Sequence, residues 1–123
     1  MKYLMLAYYH EKTWDAMSQA EKDASTAGCR ERDEELEKAG YLVSGGSLAP
    51  SSATVSVRPR NGKPLVTDGP YVETKEQLGG VVVIEAKDLN EAIQVASRHP
   101  AGCMNEKLGW GIELRPFEFY KQA

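Results

Sequence analysis

Val81-Val82-Val83-Ile84 puts apolar, β-branched side chains at four successive positions. Side chains alternate between the two faces of a strand, so a run that is apolar at both parities predicts a strand covered on both sides. Tyr3-Leu4-Met5-Leu6-Ala7-Tyr8-Tyr9 reads the same way. Tyr3, Met5, Ala7 and Tyr9 fall on one side, and Leu4, Leu6 and Tyr8 on the other. These two segments are the candidates for the centre of a sheet.

Outward from them, helices and further strands alternate. Ser18-Gln19-Ala20-Glu21 is a capping box, which predicts a helix from there to Ala39 with Gly40 as its left-handed stop. Gly28 falls inside that helix at a cost of about 1 kcal/mol relative to Ala. Arg30-Glu31-Arg32-Asp33-Glu34-Glu35 reads as a solvated face with i,i+4 ion pairs. Tyr41-Leu42-Val43-Ser44 starts another strand, bent or bulged at Gly45-Gly46. Thr54 to Arg58 and Leu65 to Thr67 flank Asn61-Gly62, a strong hairpin signal, and Pro59 and Pro64 confine that hairpin to an edge. Glu73 to Leu78 reads as a short helical turn ended by Gly79-Gly80. Asp88-Leu89-Asn90-Glu91 caps a further helix, with Leu89, Ala92, Ile93 and Ala96 as its apolar face and Pro100 as its stop. Trp110, Ile112 and Leu114 alternate with Gly111, Glu113 and Arg115 in a last strand that Pro116 limits.

The order strand, helix, strand, hairpin, strand, helix, strand predicts an α+β fold. It is a ferredoxin-like βαβ–βαβ sandwich with an inserted β-hairpin, in one domain over residues 1–123. Right-handed crossovers put both helices on one face of the sheet. The other face would then be a large apolar surface, which monomers rarely expose. The expectation is a homodimer packed sheet to sheet with a cavity between the sheets, a dimeric α/β barrel. The chain has 123 residues, 15 Lys and Arg against 18 Asp and Glu, and a net charge of −3. That balance argues against a nucleic-acid-coating or polybasic membrane protein. The mean hydropathy of −0.48 and the lack of a long apolar run argue against a transmembrane helix. Cys29 and Cys103 are too few for a disulfide framework, and no signal-peptide pattern precedes the first strand. Together these predict a cytoplasmic protein with two free thiols.

Asp68-Gly69-Pro70-Tyr71-Val72-Glu73-Thr74-Lys75-Glu76-Gln77-Leu78-Gly79-Gly80 resembles the signature of the DGPF-domain, or YCII-related, proteins, with Tyr71 where that motif has Phe. The opening Lys2-Tyr3-Leu4-Met5-Leu6, the pair His99-Pro100 and the close Glu113-Leu114-Arg115-Pro116 match as well. The resemblance implies a dimeric α/β barrel. It also implies two functional expectations: an enzyme working through a His–Asp pair, or a regulatory module associated with an extracytoplasmic-function sigma factor.

Several residues are candidates for chemistry. Asp68, where a hairpin strand ends, could act as a general base, or could simply make an Asx turn. Glu73 could pair with it, mutual repulsion raising one pKa to make a usable acid, or could complement a helix N-terminus in a solvated first turn. His99 and His10 are the side chains that titrate near neutrality and so the natural proton carriers. His99 alternatively complements a helix C-terminus as a cation. Arg115, beside Glu113, could bind a substrate carboxylate bidentately, or both could belong to an exposed charge ladder. Tyr71, with Tyr3, Tyr8, Tyr9 and Trp110, could line a cavity or fill the core. No Cys-x-x-Cys or helical His pair points to a metal, and no motif implies an organic cofactor. The sequence therefore leads to a small polar metabolite held between the sheets, with no nucleic acid or membrane as partner.

Overall fold

A computed structural model describes residues 1–123. The chain is mixed α+β with antiparallel sheets, compatible with a ferredoxin-like fold. Strand β1 (Lys2–His10) lies inside a four-stranded sheet of order β2-β5-β1-β6, formed with β2 (Leu42–Ser47), β5 (Glu76–Glu85) and β6 (Gly111–Pro116). All of its neighbouring pairs are antiparallel. The β1-to-β2 connection carries helices α1 (Glu11–Asp15), α2 (Gln19–Thr26) and α3 (Cys29–Lys38). The β5-to-β6 connection carries α4 (Leu89–Arg98) and α5 (Pro100–Cys103).

Register shows how the sheet divides. Tyr3 faces Ile84, Met5 faces Val82, and Ala7 faces Gly80 across the β1–β5 pair. Directly opposed residues project to the same side. That side holds the core, in which Tyr3, Met5 and Ile84 meet Leu36 of α3 and Ala92, Val95 and Ala96 of α4. Both connections therefore lay helices on the same face. Small alanines at 92 and 96 let α4 sit close to the sheet. Its buried stripe is Ala92, Val95 and Ala96, while Leu89 and Ile93 remain about half exposed. The expected apolar face was thus rotated from the observed one.

The long helix expected over residues 18–39 is two helices. The Ser18–Glu21 capping box forms in full. The chain then breaks at Ala27 and Gly28, where Gly28 takes φ +88 as the N-cap of α3. That angle lies outside the helical region, and glycine reaches it at no steric cost. The helical turn expected at Glu73–Leu78 does not form. Strand β5 begins at Glu76 and runs through Gly79-Gly80, with a register shift opposite Ala7 and Tyr8. Gly79 lies at that bulge because a Cβ there would stand 2.8 Å from the ring of Tyr9. On β2 the bulge sits between Leu42 and Ser44, ahead of the two glycines.

Val55–Arg60 (β3) and Lys63–Asp68 (β4) pair as a two-stranded sheet of their own, with Pro59 opposite Pro64. The expected attachment to an edge of the main sheet is absent. Asn61 and Gly62 both take positive φ, as a two-residue hairpin turn requires.

Candidate functional site

The two ends of the helix-covered sheet face differ in side-chain size. Tyr3, Met5 and Ile84 fill one end. Ala7 and Gly80 at the other end, with Gly45 and Ser47 of β2 beside them, leave it hollow. The result is a cleft of about 870 Å³ between the sheet and helices α1–α3 and α5. Ligand pockets commonly span about 300–1,000 Å³.

His99 stands on the cleft wall, between α4 and α5. Its Nδ1 accepts the N–H of Ala101 at 3.1 Å and so caps α5. The ring proton is thereby assigned to Nε2, which lies 3.3 Å from Asp33 Oδ1 on α3. Burial lowers the His99 pKa below its ordinary value of 6.5, against the opposing pull of Asp33. Burial prevails because the Asp33 side chain is 50% exposed and its charge is screened by water. Burial therefore works against the cation at a helix C-terminus that the sequence offered as one alternative.

Asp33 shares its face of α3 with Cys29 and Glu37, four residues away on either side, and all three line the cleft. Burial, with Asp33 beside it, raises the Cys29 pKa and keeps it a thiol. The Cys103 thiol, outside the cleft lining, donates to the carbonyl of His99 at 3.1 Å. Trp14, Asp15 and Lys22 also line the cleft, and the Lys22 ammonium sits 5.6 Å from the centre of the Trp14 ring. Tyr9 also lines the cleft, and its hydroxyl donates to Glu11 at 3.0 Å. Burial and that carboxylate push the Tyr9 pKa up to about 12. Glu11 also accepts from the Ser51 N–H and hydroxyl, which tie α1 to the segment after β2 and hold its carboxyl below the usual range.

The other sequence candidates for acid–base or carboxylate-binding chemistry lie outside the cleft lining. His10 caps α1, its Nδ1 accepting from the Thr13 N–H at 3.3 Å, and it is absent from the cleft lining. Asp68 is exposed at the end of β4, and the polar partners of the histidines are other residues: Thr13 for His10, and Ala101 and Asp33 for His99. The turn beside Asp68 is held by Gly69 N–H donating to the Thr54 carbonyl and Ser56 Oγ donating to the Gly69 carbonyl. Tyr71 is 62% exposed, with the Arg58 guanidinium 3.8 Å from its ring centre. Glu73 is exposed in the following bend. Arg115 and Glu113 pair at 3.2 Å on the sheet face that bears no helix. Glu113 borders a shallower hollow of about 490 Å³ with Tyr8, Thr74, Lys75 and Glu76. Of the sequence candidates, the cleft gathers His99 with Tyr8, Tyr9 and Trp110, and leaves out Asp68, Glu73, His10, Glu113, Arg115 and Tyr71. Asp33, which sequence reasoning set aside as part of a charge run, is the partner of His99. The signal that could have found it is its four-residue spacing from Cys29 and Glu37, which puts a carboxylate on a stripe with a thiol.

The sequence model of the YCII-related domain matches residues 1–106. The chain belongs to the YCII-related family. An uncharacterized protein of Rhizobium meliloti (strain 1021) is 32% identical to this YCII-related chain over 121 residues, which covers 98% of this chain and 95% of the relative. The family match spans β1 to α5, and so includes Trp14, Lys22, Asp33 and His99. No helix of this YCII-related protein is long and apolar enough to cross a membrane.

Proposed function

We propose that this protein binds a small metabolite in the cleft between its sheet and helices α1–α3, and that it does so as a homodimer. The observation that carries the reading is the hollow end of the sheet face, a cleft of about 870 Å³ with the His99–Asp33 pair, 3.3 Å apart, in its lining. Of the pair, Asp33 is the group able to take a proton from a ligand. His99 has one ring nitrogen in the α5 cap and offers the proton of the other to Asp33, whereas the second Asp33 oxygen keeps its lone pairs. The proton-transfer role expected of Asp68 with a histidine passes in this reading to Asp33 and His99.

The dimer rests on the other face of the sheet. Leu4 and Leu6 of β1 and Val81 and Val83 of β5 lie there, half-buried, with no helix over them. Lys2 paired with Glu85, and Arg115 paired with Glu113, stand around them. A two-fold copy of this apolar centre and mixed-charge rim complements itself. Light scattering should give twice the mass of one 13.6 kDa chain, and Leu6→Glu should reduce it to one. A single-chain mass for the wild type overturns the dimer.

A metabolite library screened by saturation-transfer NMR tests the cleft. Binders should lose their signal on Ala7→Leu, which fills the hollow end, while the far-ultraviolet circular dichroism stays unchanged. Binding that survives both Ala7→Leu and Asp33→Asn places the site elsewhere.

A further inference from the structure

Resting on the cleft reading, we infer that the ligand is a small organic cation, an amine, guanidine or quaternary ammonium. The cleft lining carries three carboxylates, Asp15, Asp33 and Glu37, against one ammonium, Lys22, and contains no arginine. His99 adds little positive charge, since its Nδ1 accepts the Ala101 N–H and burial lowers its pKa. The walls also carry aromatic faces from Tyr9, Trp14 and Trp110. Carboxylates combined with aromatic faces in a concave site suit a cation, since the negative ring face attracts positive charge and water is partly excluded.

The structure offers its own stand-in. The only lysine in the cleft is not drawn to a carboxylate: its ammonium makes no salt bridge and lies over the Trp14 indole, 5.6 Å from the ring centre. An ammonium is thus already accommodated at the place proposed for the ligand's charge. A ligand cation would displace it or sit deeper, between Trp14 and Asp33. The positive end of α3, which starts at Cys29 with no side-chain cap, is the feature that would favour an anion instead. Glu31 and Asp33 on the same helix offset it, with Glu31 in the first turn.

The test is isothermal titration of the wild-type protein, with amide NMR shifts mapped in parallel. Its probes are tetramethylammonium, choline, putrescine and methylguanidinium, the neutral choline isostere 3,3-dimethyl-1-butanol, and succinate. At least one cation should saturate, with shifts at Ala7, Gly80 and Asp33, and choline should bind about tenfold more tightly than its neutral isostere. Asp33→Asn, which keeps an oxygen to accept from His99, should weaken that cation about tenfold, and Trp14→Leu should weaken it by a similar factor. Lys22→Gln, which removes the competing ammonium, should tighten it. Should the alcohol or succinate match or exceed every cation at these resonances, the cationic assignment is overturned and the cleft reading stands. If neither these probes nor any library compound perturbs the resonances, both fall.

Discussion

One sheet face behaves in two ways along its length. At the β1 start, Tyr3, Met5 and Ile84 are at most 2% exposed and close on Leu36 and Val95. A few residues on, the equivalent positions are Ala7 and Gly80, and the same face opens into the cleft. The β1–β5 pairing runs through both regions, with one bulge at Gly79 opposite Ala7 and Tyr8. What changes is side-chain volume, so the hollow is a property of residue choice and not of a gap in the fold. Stability and binding are thereby assigned to different ends of the same strands.

The strongest way to break this comparison is to truncate one end and fill the other. Ile84→Ala should cost about 3 kcal/mol, through lost transfer energy and the cavity left behind. Ala7→Leu, placed where there is room, should change stability by less than about 1 kcal/mol. Urea denaturation of the two variants measures both. A loss for Ala7→Leu as large as that for Ile84→Ala would show that the far end is packed after all.

Gly79→Ala probes the junction of the two regions. The new Cβ would stand 2.8 Å from the Tyr9 ring, which lines the cleft and hydrogen-bonds Glu11. The ring cannot stay in place, so a loss of about 2 kcal/mol is expected. A Tyr9→Ala background should recover most of it. The same denaturation experiment on the double variant checks this, and additive losses would mean that Gly79 acts through the bulge alone.

Much of the packed end was legible from residue order. Apolar side chains at both parities marked β1 and β5 as central, Ser18–Glu21 marked a helix start, and Asn61-Gly62 marked a turn, because each signal acts within a few residues. The misreadings arose where local signals competed. Gly28 carried only a modest propensity cost as a helical residue, yet its positive φ splits the helix. Gly79-Gly80 read as the end of a short helical turn but lie inside β5, with Gly79 at its bulge. The α4 stripe was counted from Leu89, although contact with the sheet selects Ala92, Val95 and Ala96. The cleft was the least legible feature. Asp33 and His99 lie far apart in sequence and meet only because α3 and α5 dock on one face, and no local pattern encodes that docking.

The smallest effect expected is a pH dependence, and it separates the ends most cleanly, because no ionisable side chain other than the Tyr3 phenol lies among the core residues while His99 stands in the cleft. The folded chain holds the His99 pKa below its ordinary value of 6.5, chiefly through burial. The unfolded chain therefore takes up the proton first as pH falls. Stability contributed by neutral His99 is fully present above pH 6.5 and declines as pH drops through the lowered folded-state value. His99→Gln should remove this decline between pH 7 and 5, leaving the carboxylates to act at lower pH. Thermal melts across that range, on wild type and variant, give the comparison. A ligand held by Asp33 should shift the wild-type profile by opposing or aiding His99 protonation, and Ile84→Ala should lower the whole profile without changing its slope. A slope that His99→Gln leaves intact would mean that the buried ring is not the group responsible. A slope that Ile84→Ala alters would mean that the two ends of the sheet face are coupled.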